Sequence, residues 1–161
     1  MTGTRVVTDS AAGILTLTAT FAAPVERVWQ LWADPRQLER WWGPPGYPAT
    51  VVEHDLTPGG TVTYFMTGPE GERFHGWWRV AEVEAPRSLR LLDGFGERPD
   101  DAADLPTSST TVTLEPAGDG GTLMTLVGAY ESPEAFAQVM AMGMEEGITA
   151  AVGQIDTLLA E

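Results

Sequence analysis

Residues Glu131–Ala160 read ESPEAFAQVMAMGMEEGITAAVGQIDTLLA, and this closing stretch decides the fold. Ser132 suits an N-cap and Pro133 the first helical position. Phe136, Met140, Met144 (or Gly143), Ile148 (or Gly147), Ala151, Ile155 and Leu158 then recur every three or four residues. That spacing predicts about 26 residues of helix with one apolar stripe. Gly143, Gly147 and Gly153 cost such a helix roughly 1 kcal/mol each relative to Ala. The cost points either to close approach of another backbone, the expected cause, or to room kept open beside the helix.

What the stripe packs against is written upstream. Ile14–Phe21 (ILTLTATF) alternates apolar residues with Thr and reads as a strand with one buried face. Pro24 opens a helix in which Val25, Val28, Trp29 and Trp32 share a face, and Asp34-Pro35 caps and starts a second helix through Leu38 to Trp41. Gly43-Pro44-Pro45-Gly46 ends all helix. Six further runs read as strands: 50–55, 61–67, 73–83, 88–95, 108–115 and 122–129. Glycine- and proline-bearing turns such as Pro69-Glu70-Gly71 and Gly118-Asp119-Gly120-Gly121 punctuate them. Residues 96–107 (GERPDDAADLPT) carry four acidic groups against Arg98 and read as a solvated loop.

The order is therefore strand, two short helices, six strands, long helix. This is an α+β pattern with an antiparallel sheet, expected as a single domain over 1–161 with a frayed segment at 1–13. One helix cannot cover seven twisted strands evenly, so a sheet curved around it leaves a hollow.

Composition narrows the function. The formal charge of −14, with 9 basic residues against 23 acidic, argues against nucleic acid and anionic membrane surfaces. With no Cys there is no thiol nucleophile or thiolate metal site, and with every basic residue an Arg there is no Schiff-base lysine. No run approaches the roughly 18 apolar residues of a membrane span. Nor does the start of the chain show a basic region followed by an apolar one, so the expected location is cytoplasmic. Glu53-His54-Asp55 resembles a ligand cluster, but on a strand His54 faces away from both carboxylates. In a meander His54 and His75 sit two strands apart, about 9 to 10 Å. No metal and no cofactor is expected, and a solvated face accounts for both His. No nucleophile elbow is present.

Three segments carry a resemblance. They are Ala23-Pro24-Val25-Glu26-Arg27-Val28-Trp29 through Asp34-Pro35 to Arg40-Trp41-Trp42-Gly43-Pro44; Pro58-Gly59-Gly60 with Gly76 and Pro86-Arg87-Ser88-Leu89; and Met144-Glu145-Glu146-Gly147 through Leu158. Over about residues 14–160 the chain resembles the homologues of the activator of the heat-shock-protein-90 ATPase, in the START-like (SRPBCC) helix-grip superfamily. In that family the position of Ile148 is usually held by Trp. The resemblance implies a helix-grip fold, a seven-stranded sheet gripping the last helix around a cavity. Members of the superfamily bind lipids, polyketides or hormones; some are cyclases, and some stimulate a chaperone ATPase.

The family pattern turns Val62, Tyr64 and Met66 toward the helix and makes Trp78, rather than Trp77, the cavity-facing indole. Trp41 and Trp42 point about 100° apart on one turn, so one caps the core while the other is free to border a cavity mouth. Asp93 shares a face with Leu89, Leu91 and Phe95. Among apolar neighbours its pKa rises, the setting of a general acid or base; at a strand end beside Gly94 it meets water, which is the expectation. Met140 and Met144 lie one turn apart, and flexible thioethers suit an irregular pocket.

The sequence thus points to a binding protein for a small hydrophobic molecule, walled by Trp42, Tyr64, Met66, Trp78, Phe136, Met140 and Met144, with Tyr64 and Asp93 as polar anchors. It would act as monomer or homodimer. A module that contacts a heat-shock chaperone is the second reading. An enzyme of cyclase or hydrolase type, with Asp93 as its catalytic candidate, is the third; no nucleophile–base pair favours it.

Overall fold

The computed structural model describes residues 3–96 and 108–160. The acidic loop expected at 96–107 lies, from 97 onward, outside the described residues. The strands are β1 (Gly3–Asp9), β2 (Ile14–Phe21), β3 (Ala49–His54), β4 (Thr61–Thr67), β5 (Arg73–Glu84), β6 (Ser88–Phe95), β7 (Ser108–Ala117) and β8 (Gly121–Tyr130). They form one curved antiparallel sheet in the order β1-β2-β8-β7-β6-β5-β4-β3.

Eight strands, not seven, therefore make the sheet. The expected frayed segment at 1–13 is corrected as well, because β1 pairs with β2 from Gly3↔Thr20 to Asp9↔Ile14. Gly13, at φ +70°, closes the turn, and Asp9 Oδ1 accepts from the Ala12 amide at 3.1 Å. β1 is an edge strand exposed along most of its length. It lacks the buried alternation by which strands are read from sequence, and backbone pairing alone places it.

Helices α1 (Val25–Ala33) and α2 (Pro35–Trp41) follow β2, with Asp34 as the cap between them. Its carboxylate accepts from the Arg36 amide at 2.9 Å and from Gln37 Nε2 at 3.2 Å. Chiefly the first of these bonds lowers its pKa below the usual carboxylate value. α1 rests on β7 and β8, and α2 on β3.

The closing helix is not continuous. It divides into α3 (Pro133–Ala141), α4 (Met144–Gly153) and α5 (Ile155–Leu159). Ser132 Oγ caps α3 by accepting from the Ala135 amide at 3.0 Å. Gly143, at φ +88°, sits in the left-handed region, ends α3 through its N–H to Met140 O and starts α4. Glycine is the residue that adopts this geometry without a Cβ clash. A Cβ at Gly147 or Gly153 would meet nothing within 4 Å, so neither glycine serves close backbone approach. Open space is the correct one of the two readings.

Trp32, Trp41 and Trp78 are completely buried, and Trp42 nearly so at 9% exposure. Trp32 packs edge-on to Trp41 at 4.9 Å, and Trp42 edge-on to Trp78 at 5.0 Å. Of the pair, Trp41 is core, while Trp42 packs on the sheet and keeps a small exposed edge. α2 is sandwiched, so both sides of its last turn find protein: Trp41 Nε1 donates to Leu31 O at 2.9 Å, and Trp42 turns toward the sheet.

Candidate functional site

Alternation on the curved sheet builds the site. On β4, Val62, Tyr64 and Met66 lie opposite Trp78, Gly76 and Phe74 of β5. Gly76 matters most among these, because a Cβ there would overlap the Tyr64 hydroxyl. Its missing side chain lets the Tyr64 ring lie flat across β5 toward β6. Trp42 meets that ring edge-on at 5.9 Å.

Between this part of the sheet and the α3–α4 break lies a recess of about 220 Å³. Trp42, Tyr64, Met66 and Phe95 line it from one side, and Val139, Met144 and Ile148 from the other. Gly143 and Gly147 also line it, which is where the open space beside Gly147 belongs. Phe74 and Met142 at its rim are more than half exposed, and Tyr47 stacks on Phe74 with ring centres 6.0 Å apart. A larger groove of about 440 Å³ flanks the Gly43–Gly46 turn. Its wall is prolines and charged side chains, and there Arg36 is already paired with Glu39 at 3.3 Å.

Deeper in, a chamber of about 20 Å³ is lined by Trp42, Asp93, Thr110, Tyr130 and Ile148, among others. That is room for one water-sized group. Asp93 does not simply meet water at a strand end. β6 pairs with β7 so that Asp93 stands opposite Ser108. Its carboxylate accepts from Ser108 Oγ and, at 2.8 Å, from Thr110 Oγ1. Asp93 keeps some open surface, yet protein surrounds the carboxyl. Desolvation raises its pKa, opposed by the two hydroxyl bonds. Burial and then the Asp93 charge push the Tyr130 phenol up to about 12 and the Tyr64 phenol further. Both tyrosines are therefore neutral donors at physiological pH.

Of the wall read from sequence, Trp42, Tyr64, Met66 and Met144 meet at the recess, and Asp93 at the chamber behind it. Trp78 lies behind Trp42 as core, and Phe136 packs on Tyr130 with ring centres 5.5 Å apart. Met140 is half-buried against the core, outside the lining. The break at Gly143 interrupts the helix between these residues and α4, and it is Val139 and Met142, not Phe136 and Met140, that line the recess. Phe74, Phe95 and Ile148 were legible by alternation or helical spacing; Val139, Met142 and Tyr130 were not. His54 is half-buried, with Nε2 3.0 Å from Trp32 O, and is not on a solvated face. His75 stacks on Phe65 at 5.6 Å and borders the recess. Among the described residues no group of three or more His, Asp or Glu could hold a metal ion, and no helix is long and apolar enough to cross a membrane.

A curved antiparallel sheet closed over by C-terminal helices, with a recess between them, defines a protein of the START-like helix-grip class. The chain belongs to the family described as activator of Hsp90 ATPase homolog 1-like protein, which matches residues 22–160. The crystal structure of Ms6760 from Mycobacterium smegmatis is 53% identical, with a TM-score of 0.87 over 96% of this chain and 95% of that one. A solution structure from Arthrobacter aurescens is 44% identical, TM-score 0.90, covering 97% and 91%. A crystal structure from Rhodobacter sphaeroides is 28% identical, TM-score 0.83, covering 98% and 99%. Among curated proteins nothing matches the chain. Proteins of this fold family commonly bind hydrophobic ligands.

Proposed function

We propose that the recess between the sheet and the α3–α4 break binds a small hydrophobic molecule. The observation that carries this reading is the combination of open volume and lining. About 220 Å³ is bounded chiefly by aromatic, aliphatic and thioether side chains, with Tyr64 and His75 as the polar groups on its wall and Asp93 in the chamber behind. Apolar walls with a few fixed polar groups are the usual make-up of a small-molecule site. The open space at Gly147 adds to it, since a helix tolerating glycine where nothing packs keeps volume that Ala or Leu would fill.

A thermal-shift screen of apolar compounds tests the proposal. A ligand present at a hundred times its dissociation constant adds about 2.7 kcal/mol of stability. A screen of lipids, aromatic ketones and polyketide-like compounds in which none raises the midpoint removes this reading.

The exposed Phe74 and Met142 at the rim favour a second reading, a docking surface for another protein. The cognate heat-shock ATPase is the partner to try, with ATP turnover as the readout. Turnover unchanged by a molar excess of this chain rules it out.

A further inference from the structure

Among the described residues, the buried side-chain nitrogens and oxygens without a hydrogen-bond partner are three indole nitrogens, those of Trp32, Trp42 and Trp78. All three are donors. An orphaned buried N–H carries its full desolvation cost, and native proteins leave few such groups without cause. Trp42 and Trp78 both pack edge-on against the Tyr64 ring, with centres 5.9 and 6.2 Å from it. Both also hold the Tyr64 pKa down against the rise that burial imposes, yet neither indole N–H has a hydrogen-bond partner.

A phenol hydroxyl has one proton to give and two lone pairs to receive. With two donor indoles packed beside it, the Tyr64 oxygen is placed to accept, which leaves its proton for another partner. Tyr64 borders the recess, and Trp42 borders both the recess and the deep chamber. The absent side chain at Gly76 fixes the hydroxyl's place. The apolar recess thus has a donor-rich end in which N–H groups back an O–H.

We infer that the recess selects an apolar molecule bearing a carbonyl-type oxygen, which accepts the Tyr64 hydroxyl proton while Trp42 and Trp78 polarise that hydroxyl from behind. This rests on the proposed binding function and names the chemical class of its ligand. Chains of hydrogen bonds strengthen one another in a low-dielectric site, so an acceptor would also draw the two indoles into better geometry. Asp93 offers the competing chemistry, because a desolvated carboxylate favours an amine.

Three probes of one carbon skeleton separate these cases by calorimetry: acetophenone, ethylbenzene and 1-phenylethylamine. Acetophenone is expected to bind roughly three- to tenfold tighter than ethylbenzene, the difference one net hydrogen bond makes. Tyr64→Phe is expected to erase that preference while leaving ethylbenzene affinity in place. Should Tyr64→Phe fail to fold, the wild-type protein answers by infrared spectroscopy: the stretch of carbonyl-labelled acetophenone is expected below its frequency in alkane solvent. Failure of all three probes to bind removes the proposed function itself. Ethylbenzene binding as tightly as acetophenone, a ketone preference that survives Tyr64→Phe, an unshifted carbonyl stretch, or tightest binding by the amine would each overturn the carbonyl inference alone.

Discussion

Gln154 donates from Nε2 to the carbonyl of Gly43 at 2.7 Å and to that of Trp41 at 3.2 Å. One amide at the junction of α4 and α5 thus satisfies two carbonyls in the turn where α2 ends, 111 residues earlier for Gly43. The bond holds the last helices against the turn that delivers Trp42 to the recess. Gln154→Ala leaves both carbonyls without this partner and is expected to cost roughly 1–2 kcal/mol, measured by urea unfolding. A midpoint within error of wild type would deny the clamp.

The glycines of the closing helices make opposite predictions. Gly147 has open space at its Cβ position, so Gly147→Ala is expected to stabilise by roughly 0.5–1 kcal/mol through helix propensity. Gly143 has φ +88°, where an L side chain is strained, and Gly143→Ala is expected to destabilise by about 1–2 kcal/mol. Chemical denaturation of the pair reads the signs directly; equal signs would contradict the helix break.

Asp93 predicts a pH dependence. Burial raises its folded pKa above the unfolded value, so between the two values the folded state binds more protons. Stability therefore falls as pH rises through that window, and the group contributes no slope below it or above it. Asp93→Asn removes the titration. Its stability relative to wild type is expected to climb from about pH 4 toward neutrality, followed by urea titrations across that range. Parallel curves would show that Asp93 titrates normally.

Ile148 borders both the recess and the deep chamber. Ile148→Trp is expected to fill the open volume. Overpacking would cost roughly 1–3 kcal/mol while the fold persists by circular dichroism. Stabilisation by apolar compounds should disappear with it; retention of that stabilisation would place binding elsewhere.

Most of the frame was legible because it rests on local rules. The alternation in Ile14–Phe21, the Asp34 and Ser132 caps and the glycine turns each act within a few residues, and each appears in the structure. The edge strand β1 was not legible: exposed along most of its length, it has no burial pattern to read. The break at Gly143 escaped because an apolar stripe at helical spacing continues across it. Half the wall was legible for the same reason as the frame, since Tyr64 and Met66 follow from period-two alternation. Phe136 and Met140 were misplaced by a straight-helix assumption, and Val139 and Met142 were missed with them.

The order of residues by itself determined an α+β chain with an antiparallel sheet, two short helices after the strand Ile14–Phe21 and a closing helical region, along with a chemistry lacking thiols and lysine amines. Those follow from backbone geometry and composition, which act along the chain. Only the tertiary structure decided that Asp93 meets Ser108 and Thr110, that Tyr64 lies across Gly76, and that Trp42 and Trp78, their N–H groups unpaired, pack around it. Such meetings depend on strand register and on a helix break that fix distances between residues far apart in sequence, and no local preference encodes a distance.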